Sequence, residues 1–338
     1  MALMPSLGQA IDIESIAPDV WVALQPDERK FNDCNTLIVA AADYVIVVDA
    51  QESADDVKQI IQFIESTIDK PVRYLISTHW HSDHTQGNTL YKDSYDDDLI
   101  IIGHTTHTED IQQRAGVYVS DRVERLKKQL PAALEQLETG VKLDGSEFTP
   151  DELAAQTIAV RKAEEWVVAN DGFQFTLPTL TIDDVYSVQA GSASFTIHPM
   201  RGHTRGDLVV HFPRLNLIAT GDLVDAMPFS GHGFPSEWLI SLQDIKDLGA
   251  STYLTGHGAA QTDNALIDKL LVYFESLTAQ VKLLLAEGDT VEQLKAGIDL
   301  SHSRALLAGD DEAAGRFFDR VQDEAIDRAI KELDGIAD

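Results

Sequence analysis

Three imidazoles and a carboxylate fall within six positions at His79-Trp80-His81-Ser82-Asp83-His84. They come directly after the apolar run Val72, Tyr74, Leu75 and Ile76, which reads as a buried strand. This cluster constrains the fold more than any other stretch. A strand must deliver the loop to a place where further ligand-type side chains arrive from elsewhere in the chain. His79 and His81, two apart in an extended loop, project to one side, while Asp83 and His84 point elsewhere. That divergence suits two adjacent metals better than one, because neutral imidazoles and carboxylates are good ligands for zinc or iron. Thr85 to Asn88 reads as a turn into the next element.

The bulk properties narrow the partners. At 338 residues the chain has room for one large or two ordinary domains, and 44% hydrophobic residues can fill a sizeable core. The formal charge of −30 repels phosphate backbones, which argues against nucleic acid. A solvated acidic surface suited to a salty habitat accounts for that charge better than catalysis does. The single Cys34 excludes an internal disulfide and says little about compartment. No run of about eighteen apolar residues suggests a membrane span. Gly8-Gln9-Ala10 resembles the small-residue end of an export signal, so periplasmic and cytoplasmic locations both stay open.

Strand-like and helical periods alternate along the chain. Val20 to Leu24, Thr36 to Ala40 and Tyr44 to Val48 read as strands, the last ending on Asp49. Gln51 to Thr67 has helical spacing through Val57, Ile60, Ile61 and Ile64, and Leu99 to Ile102 reads as a further strand. From about 105 to 171 the texture becomes helical. Val123, Leu126, Leu130, Leu134 and Leu137 form a stripe, and Thr149-Pro150-Asp151-Glu152 reads as a helix start. Strands return at Thr179 to Ile182, Val185 to Val188, Phe195 to His198, Leu208 to Phe212, Leu217 to Ala219 and Thr252 to Leu254. The pattern predicts an α/β (α+β) domain over 11–262 with a helical insertion at about 105–171, then a helical extension over 263–338. The insertion's apolar stripe suits a lid, a cap or a homodimer contact through helical segments.

Three later strands run into Gly202-His203-Thr204, Thr220-Gly221-Asp222 and Thr255-Gly256-His257-Gly258. Each sets a ligand-type side chain beside glycine, where the backbone can turn tightly and a ligand can approach. Taken singly these are weak signals; with the opening cluster they form a set.

On these residues the chain resembles the metallo-β-lactamase superfamily. Asp49, the His79/His81/Asp83/His84 cluster, His203, Asp222 and His257 match that family's pattern in order over roughly residues 15 to 260. The resemblance implies an αββα sandwich with a dinuclear centre at one edge and two zinc ions per chain, iron or mixed metals being the alternative. By the same resemblance His79, His81 and His203 hold the first metal, Asp83, His84 and His257 the second, and Asp222 bridges both. Asp49 fixes the histidine loop without ligating. Two divalent cations, two carboxylates and a bridging hydroxide leave about +1, which a partly buried site tolerates. The implied reaction is hydrolysis of a small-molecule substrate. The hydroxide opens a cyclic amide, lactone or (thio)ester bond, with Asp83 and Asp222 as the catalytic carboxylates.

The substrate is less constrained. Many β-lactamases of this fold carry Cys where this chain has Asp222, and an anion-binding Lys where it has Asp225. A bridging Asp looks more like the glyoxalase-type, lactonase and phosphodiesterase branches. β-Lactamase-like hydrolysis is the leading expectation, and glyoxalase II-type thioester hydrolysis is an alternative. An iron-dependent oxidoreductase of the persulfide dioxygenase kind is the rival on the same scaffold. Arg201 and Arg205 are candidates for the missing cation. His232, on a Gly-rich loop after Asp222, is a candidate at the pocket edge. Glu237 and Trp238 are expected to start and pack a helix, His104 and His107 to be structural or exposed, and His198 and His211 to lie within strands.

Overall fold

The computed structural model describes residues 11–26, 30–31, 33–288 and 290–335. The small-residue run Gly8-Gln9-Ala10 lies outside them. Two compact units emerge from the packing, one of 1–108 with 176–338 and one of 109–175.

The larger unit carries two sheets. The first contains β1 (Asp12–Ala17), β2 (Val20–Leu24), β3 (Thr36–Ala40), β4 (Val45–Val48), β5 (Val72–Ile76), β6 (Ile100–His104) and β7 (Leu180–Ile182), in spatial order of sequence. β1 to β4 pair antiparallel, with short turns joining β1 to β2 and β3 to β4, and β4 to β7 pair parallel. Parallel neighbours need a crossover. Helix α1 (Ala54–Phe63), extended by a wider turn to Ile68, carries β4 to β5. Helices α2 (Ser82–Thr85) and α3 (Asn88–Tyr95) carry β5 to β6, and the one-turn α4 (His107–Asp110) follows β6. The second sheet contains β8 (Tyr186–Val188), β9 (Phe195–Met200), β10 (Asp207–Phe212), β11 (Leu217–Gly221) and β12 (Thr252–Thr255), antiparallel except for the parallel pair β11 and β12.

Side-chain alternation builds the layers. In β3, Leu37 and Val39 enter the core between the sheets, where they meet Phe195, Val210 and Ala219 of the second sheet. Ile38 between them points the other way, into a cluster with Val57, Ile60 and Ile61 of α1. The outer face of the second sheet, Val209, Ile218 and Tyr253, packs against the helical side. Helices α7 (Pro235–Asp247), α8 (Ala265–Glu287) and α11 (Glu312–Leu333) supply Trp238, Leu242, Leu270, Phe274 and Phe318 to it, and the short α9 (Val291–Gly297) and α10 (Ser301–Ala308) add Leu294 and Ala308. The result is an αββα sandwich. Strands buried on both faces read as continuous apolar runs, as β4 does.

The unit 109–175 contains helices α5 (Gly116–Thr139) and α6 (Pro150–Asn170). Thr149 caps the second through a reciprocal pair with Glu152, and Pro150 occupies the first turn. Arg122 stacks over Trp166 at 4.1 Å, and Lys127 reaches Asp171 at 2.8 Å. Of the predicted stripe, Val123 is buried and Leu134 is 43% exposed.

Two expectations shift. The helix predicted from Gln51 starts at Ala54, because Gln51 sits at φ 64° and Ser53 caps it by accepting from Asp56 N. The turn over Thr85 to Asn88 is real but brief, since α3 begins at Asn88. No described helix is long and apolar enough to cross a membrane.

Candidate metal centre

β4, β5, β9, β11 and β12 all end at one edge of the sandwich, and each is followed by a residue of the expected set. Backbone bonds draw the two sheets together there. Leu208 N donates to Thr78 O at 2.7 Å, and Asn35 N donates to Gly256 O at 2.7 Å. Loops at this end of open sheets are free to carry function because they take no part in the ladders.

The histidine loop is fixed from behind. Asp49 lies past the end of β4 at φ 64°, which places its carboxylate under the loop. Its Oδ1 accepts from Thr78 N at 2.8 Å and its Oδ2 from Thr78 Oγ1 at 2.8 Å. The same Oδ2 lies 2.9 Å from His84 Nδ1. Thr85 Oγ1 donates to His81 O at 2.8 Å, closing the loop over α2. Two glycines make the approach of the other strands feasible. A Cβ on Gly221 would stand 2.5 Å from Thr78 Oγ1, and one on Gly256 would collide with Asp222 Oδ1.

Three imidazoles converge. His81 Nδ1 lies 3.0 Å from His79 Nε2 and 3.1 Å from His203 Nε2. Donor atoms of these three and of Asp222 all fall within 4.8 Å of one another. Burial holds His79 and His81 well below the ordinary imidazole range, with adjacent imidazoles adding to the effect, and holds His203 down to about 4. Each neutral ring has one N–H and one lone pair, so three rings meeting at one point satisfy one another only in part, whereas a tetrahedral ion with ligands at ~2.0–2.1 Å engages a lone pair of each.

Asp83, His84 and His257 form a second group. His257 Nδ1 donates to Asp33 O at 2.9 Å, leaving Nε2 3.3 Å from Asp83 and 3.5 Å from Asp222. Desolvation opposes charge on His84 and His257, yet the surrounding acids (Asp222 for both) outweigh it and raise both well above the usual range. Asp222 stands between the groups. Its Oδ2 is 3.5 Å from His203 Nε2 and 3.8 Å from His79 Nε2, and its Oδ1 is 3.2 Å from His84 Nε2. That last contact is off-axis, so His84 Nε2 and Asp222 Oδ1 remain buried without hydrogen bonds. Orphaned polar atoms of this kind are costly, and a bound divalent ion would satisfy both. The donor set fits the two-group arrangement expected for a metal centre.

Other residues are arranged around this core. Asp225 is buried with Asp222 and His257 within ligand distance, and desolvation pushes its carboxyl up to about 7. Asp33 anchors His257 and accepts from Glu52 N and Ser53 N. Burial pushes the Cys34 thiol up to about 12, so it presents no thiolate to His84 beside it. His232 Nδ1 lies 2.9 Å from His81 Nε2 and thus contacts a candidate ligand from outside. Arg201 turns away, its guanidinium 3.8 Å above the Phe234 ring and its Nε 3.4 Å from Glu237. A cavity of about 210 Å³ opens on His81, Asp83, Asp222, Asp225 and His257; neither Arg201 nor Arg205 borders it. Its far wall consists of Phe31, Met227, Phe229, Phe317 and Arg320.

Of the remaining histidines, His107 is buried, with Nε2 2.7 Å from Gly206 O, and its Nδ1 accepts from His104 N. His198 and His211 lie in β9 and β10, and Glu237 and Trp238 in the first turns of α7. Sequence reasoning misses Asp33, Asp225 as part of the acid cluster, and the far wall. The resemblance marks Asp225 only as the place of an absent Lys, and nothing in the sequence places its carboxylate beside Asp222 and His257.

The family model described as the metallo-beta-lactamase superfamily matches residues 29–257. The metallo-β-lactamase FIM-1 from Pseudomonas aeruginosa, in a mono-zinc form, superposes with a TM-score of 0.53 at 16% identity, covering 79% of this chain and 95% of that one. DIM-1 metallo-β-lactamase gives 0.54 at 16% identity, covering 79% and 98%. A metallo-β-lactamase from Pontibacter korlensis gives 0.51 at 14% identity, covering 78% and 99%. At such identities the likeness speaks for the fold alone. An atrochrysone carboxyl ACP thioesterase from Claviceps purpurea (strain 20.1) is 29% identical over 84 residues, 24% of this chain. The chain spans 27% of that relative's length.

Proposed function

The chain belongs to the metallo-β-lactamase superfamily, and from that premise we propose that it is a two-metal hydrolase of small-molecule carbonyl compounds, with thioesters and esters ahead of β-lactams. The convergence of His79, His81 and His203 on one point, beside Asp83, His84 and His257 with Asp222 between, carries the reading. His79, His81 and His203 would hold one ion and Asp83, His84 and His257 the other, with Asp222 reaching both. Bound divalent ions polarise a carbonyl and make water acidic enough to attack at neutral pH.

The protein's own groups supply the rest. Asp83 borders the cavity, so its carboxylate can take a proton from the attacking water and return it to the leaving group. Asp49 and Asp33 orient His84 and His257 from behind, presenting Nε2 of each to Asp83 and Asp222. The apolar wall of Phe31, Met227 and Phe229 excludes water from around the acyl part. Thioesters are favoured because buried Asp225 stands where many β-lactamases of this fold carry an anion-binding Lys, and because the partial relative is named a thioesterase.

Metal quantification followed by turnover on thioesters, lactones, β-lactams and phosphodiesters tests the reading. Two zinc ions per chain are expected, with thioester cleavage that chelation abolishes and zinc restores. His79→Ala should lose metal and activity together. Stoichiometric iron with oxygen uptake, or a fully active His79→Ala protein, overturns it.

A further inference from the structure

The far wall of the cavity comes partly from outside the region matched to the family, which ends at residue 257. Phe317 and Arg320 of α11, three positions apart on one helical face, border the same space as His81, Asp83 and Asp222. Their position is set by several anchors. Phe318 packs on Tyr273 with ring centroids 5.8 Å apart, and Phe317 meets Phe31 at 5.3 Å. Further along the helix, Arg328 Nε donates to Gly233 O at 2.9 Å, and Glu332 accepts from Ser236 Oγ at 2.6 Å. α11 is thereby held to the loop that follows Asp222.

Among the described residues bordering the cavity, Arg320 is the one arginine or lysine, and the carboxylates there are Asp83, Asp222 and Asp225. Arg320 is exposed, and its guanidinium lies 4.6 Å from the Phe317 ring centroid. Among the described residues no carboxylate pairs with it. Its neighbours differ: Arg304 grips Asp319 through two bonds of 2.6 and 2.9 Å, and Arg316 pairs with Glu312 at 3.5 Å. In a chain with 56 acidic and 26 basic residues, an arginine beside a candidate catalytic centre with no acid partner among the described residues is conspicuous. Its five N–H donors form a fork that fits a carboxylate or phosphate bidentately, and its stacking on Phe317 preorganises that fork.

We propose that Arg320 is the substrate's anion-binding residue, so that the site takes an acyl compound with an apolar middle and a terminal oxyanion. The scissile carbonyl lies at the ligand end, the apolar segment lies against Phe31, Phe229 and Phe317, and the oxyanion lies on Arg320. This rests on the hydrolase reading of the same site. It places specificity in the C-terminal extension and chemistry in the shared domain.

The test uses three aryl-acyl thioesters that differ only at the distal end: a carboxylate, a phosphate and a neutral methyl ester. Zinc-loaded wild type is expected to prefer one of the two anionic compounds over the neutral one, and the preferred compound identifies the oxyanion. Arg320→Gln should lower kcat/KM for it about 10- to 100-fold, mainly through KM, and leave the neutral compound and the zinc content unchanged. Arg320→Lys should restore part of the loss. Equal losses on charged and neutral substrates, or no preference in the wild type, overturn the proposal while leaving the hydrolase reading standing. A separate arm titrates 4-phenylbutyrate calorimetrically into the zinc-loaded proteins. Arg320-dependent binding without hydrolysis of any thioester supports the anion site and sinks the hydrolase reading instead.

Discussion

Asp49→Asn isolates the role of one carboxylate behind the metal ligands. The backbone at Asp49 has φ 64°, a left-handed conformation that Asn adopts readily, and the side chains are isosteric, so the loop has no steric reason to move. What changes is hydrogen-bond polarity. The carboxylate accepts from Thr78 N and Thr78 Oγ1 at 2.8 Å each and faces His84 Nδ1 at 2.9 Å. An Asn that keeps its oxygen toward Thr78 N turns its NH2 toward His84 Nδ1. That NH2 donates, so Nδ1 becomes the acceptor and the ring proton moves to Nε2. Nε2 is the atom that faces Asp222 Oδ1 at 3.2 Å and Asp83 at 3.5 Å, on the candidate metal side. A protonated Nε2 cannot ligate.

Losing such an orienting partner costs roughly 10- to 100-fold in metal affinity, about 1.4 to 2.7 kcal/mol. The loss should fall on the group of Asp83, His84 and His257, because none of His79, His81 and His203 contacts Asp49 directly. Equilibrium dialysis against graded zinc, with metal content measured at each concentration and circular dichroism to verify folding, reads the two sites separately. The expected isotherm keeps its tight first step and shows a weakened second one. Wild-type binding at both steps, or equal weakening of both, would refute the tautomer argument.

Three further outcomes follow from packing and charge. Gly256→Ala places a methyl on Asp222 Oδ1, so bound metal measured by elemental analysis should fall while the far-UV spectrum stays native; an unchanged metal content would show that the loop yields freely. Trp238 is fully buried, stacks on Phe274 at 4.4 Å and donates its indole N–H to Leu223 O at 2.8 Å. Trp238→Ala should therefore cost about 3–5 kcal/mol in urea unfolding, and a loss below about 1 kcal/mol would contradict the packing described. His107 is buried and neutral, its imidazole pushed down to about 3 first by desolvation. Between that value and the ordinary 6.5 the unfolded chain binds the extra proton, so His107 contributes stability that is present above about pH 6.5 and lost as pH falls toward 3. The slope is about 1.4 kcal/mol per pH unit over that window. His107→Gln should flatten this part of the stability profile, and an unchanged slope would exclude His107 as its source.

The site is legible where residue type alone carries the chemistry. Four ligand-type side chains in six positions serve little besides metal binding, and strand-end glycines beside His203, Asp222 and His257 mark the close approach that Gly221 and Gly256 provide. The αββα layers are legible for a related reason, since strands buried on both faces leave unbroken apolar runs such as Val45–Val48. Short or polar elements are not. Helix α3 has only two turns and carries Asn, Thr, Ser and Asp, so its period is faint, and β1 exposes most of its side chains. The cavity wall is illegible for a deeper reason. Arg201 stands two residues from His203 in sequence and looks like the natural cation, yet its side chain is drawn to Phe234 and Glu237. Arg320 lies more than two hundred residues beyond His81 among arginines of equal appearance, and only the docking of α11 brings it to the cavity. Ligand identity is a local property of the chain, whereas access to the ligands is a tertiary one. A residue that governs the substrate can therefore sit where no motif marks it.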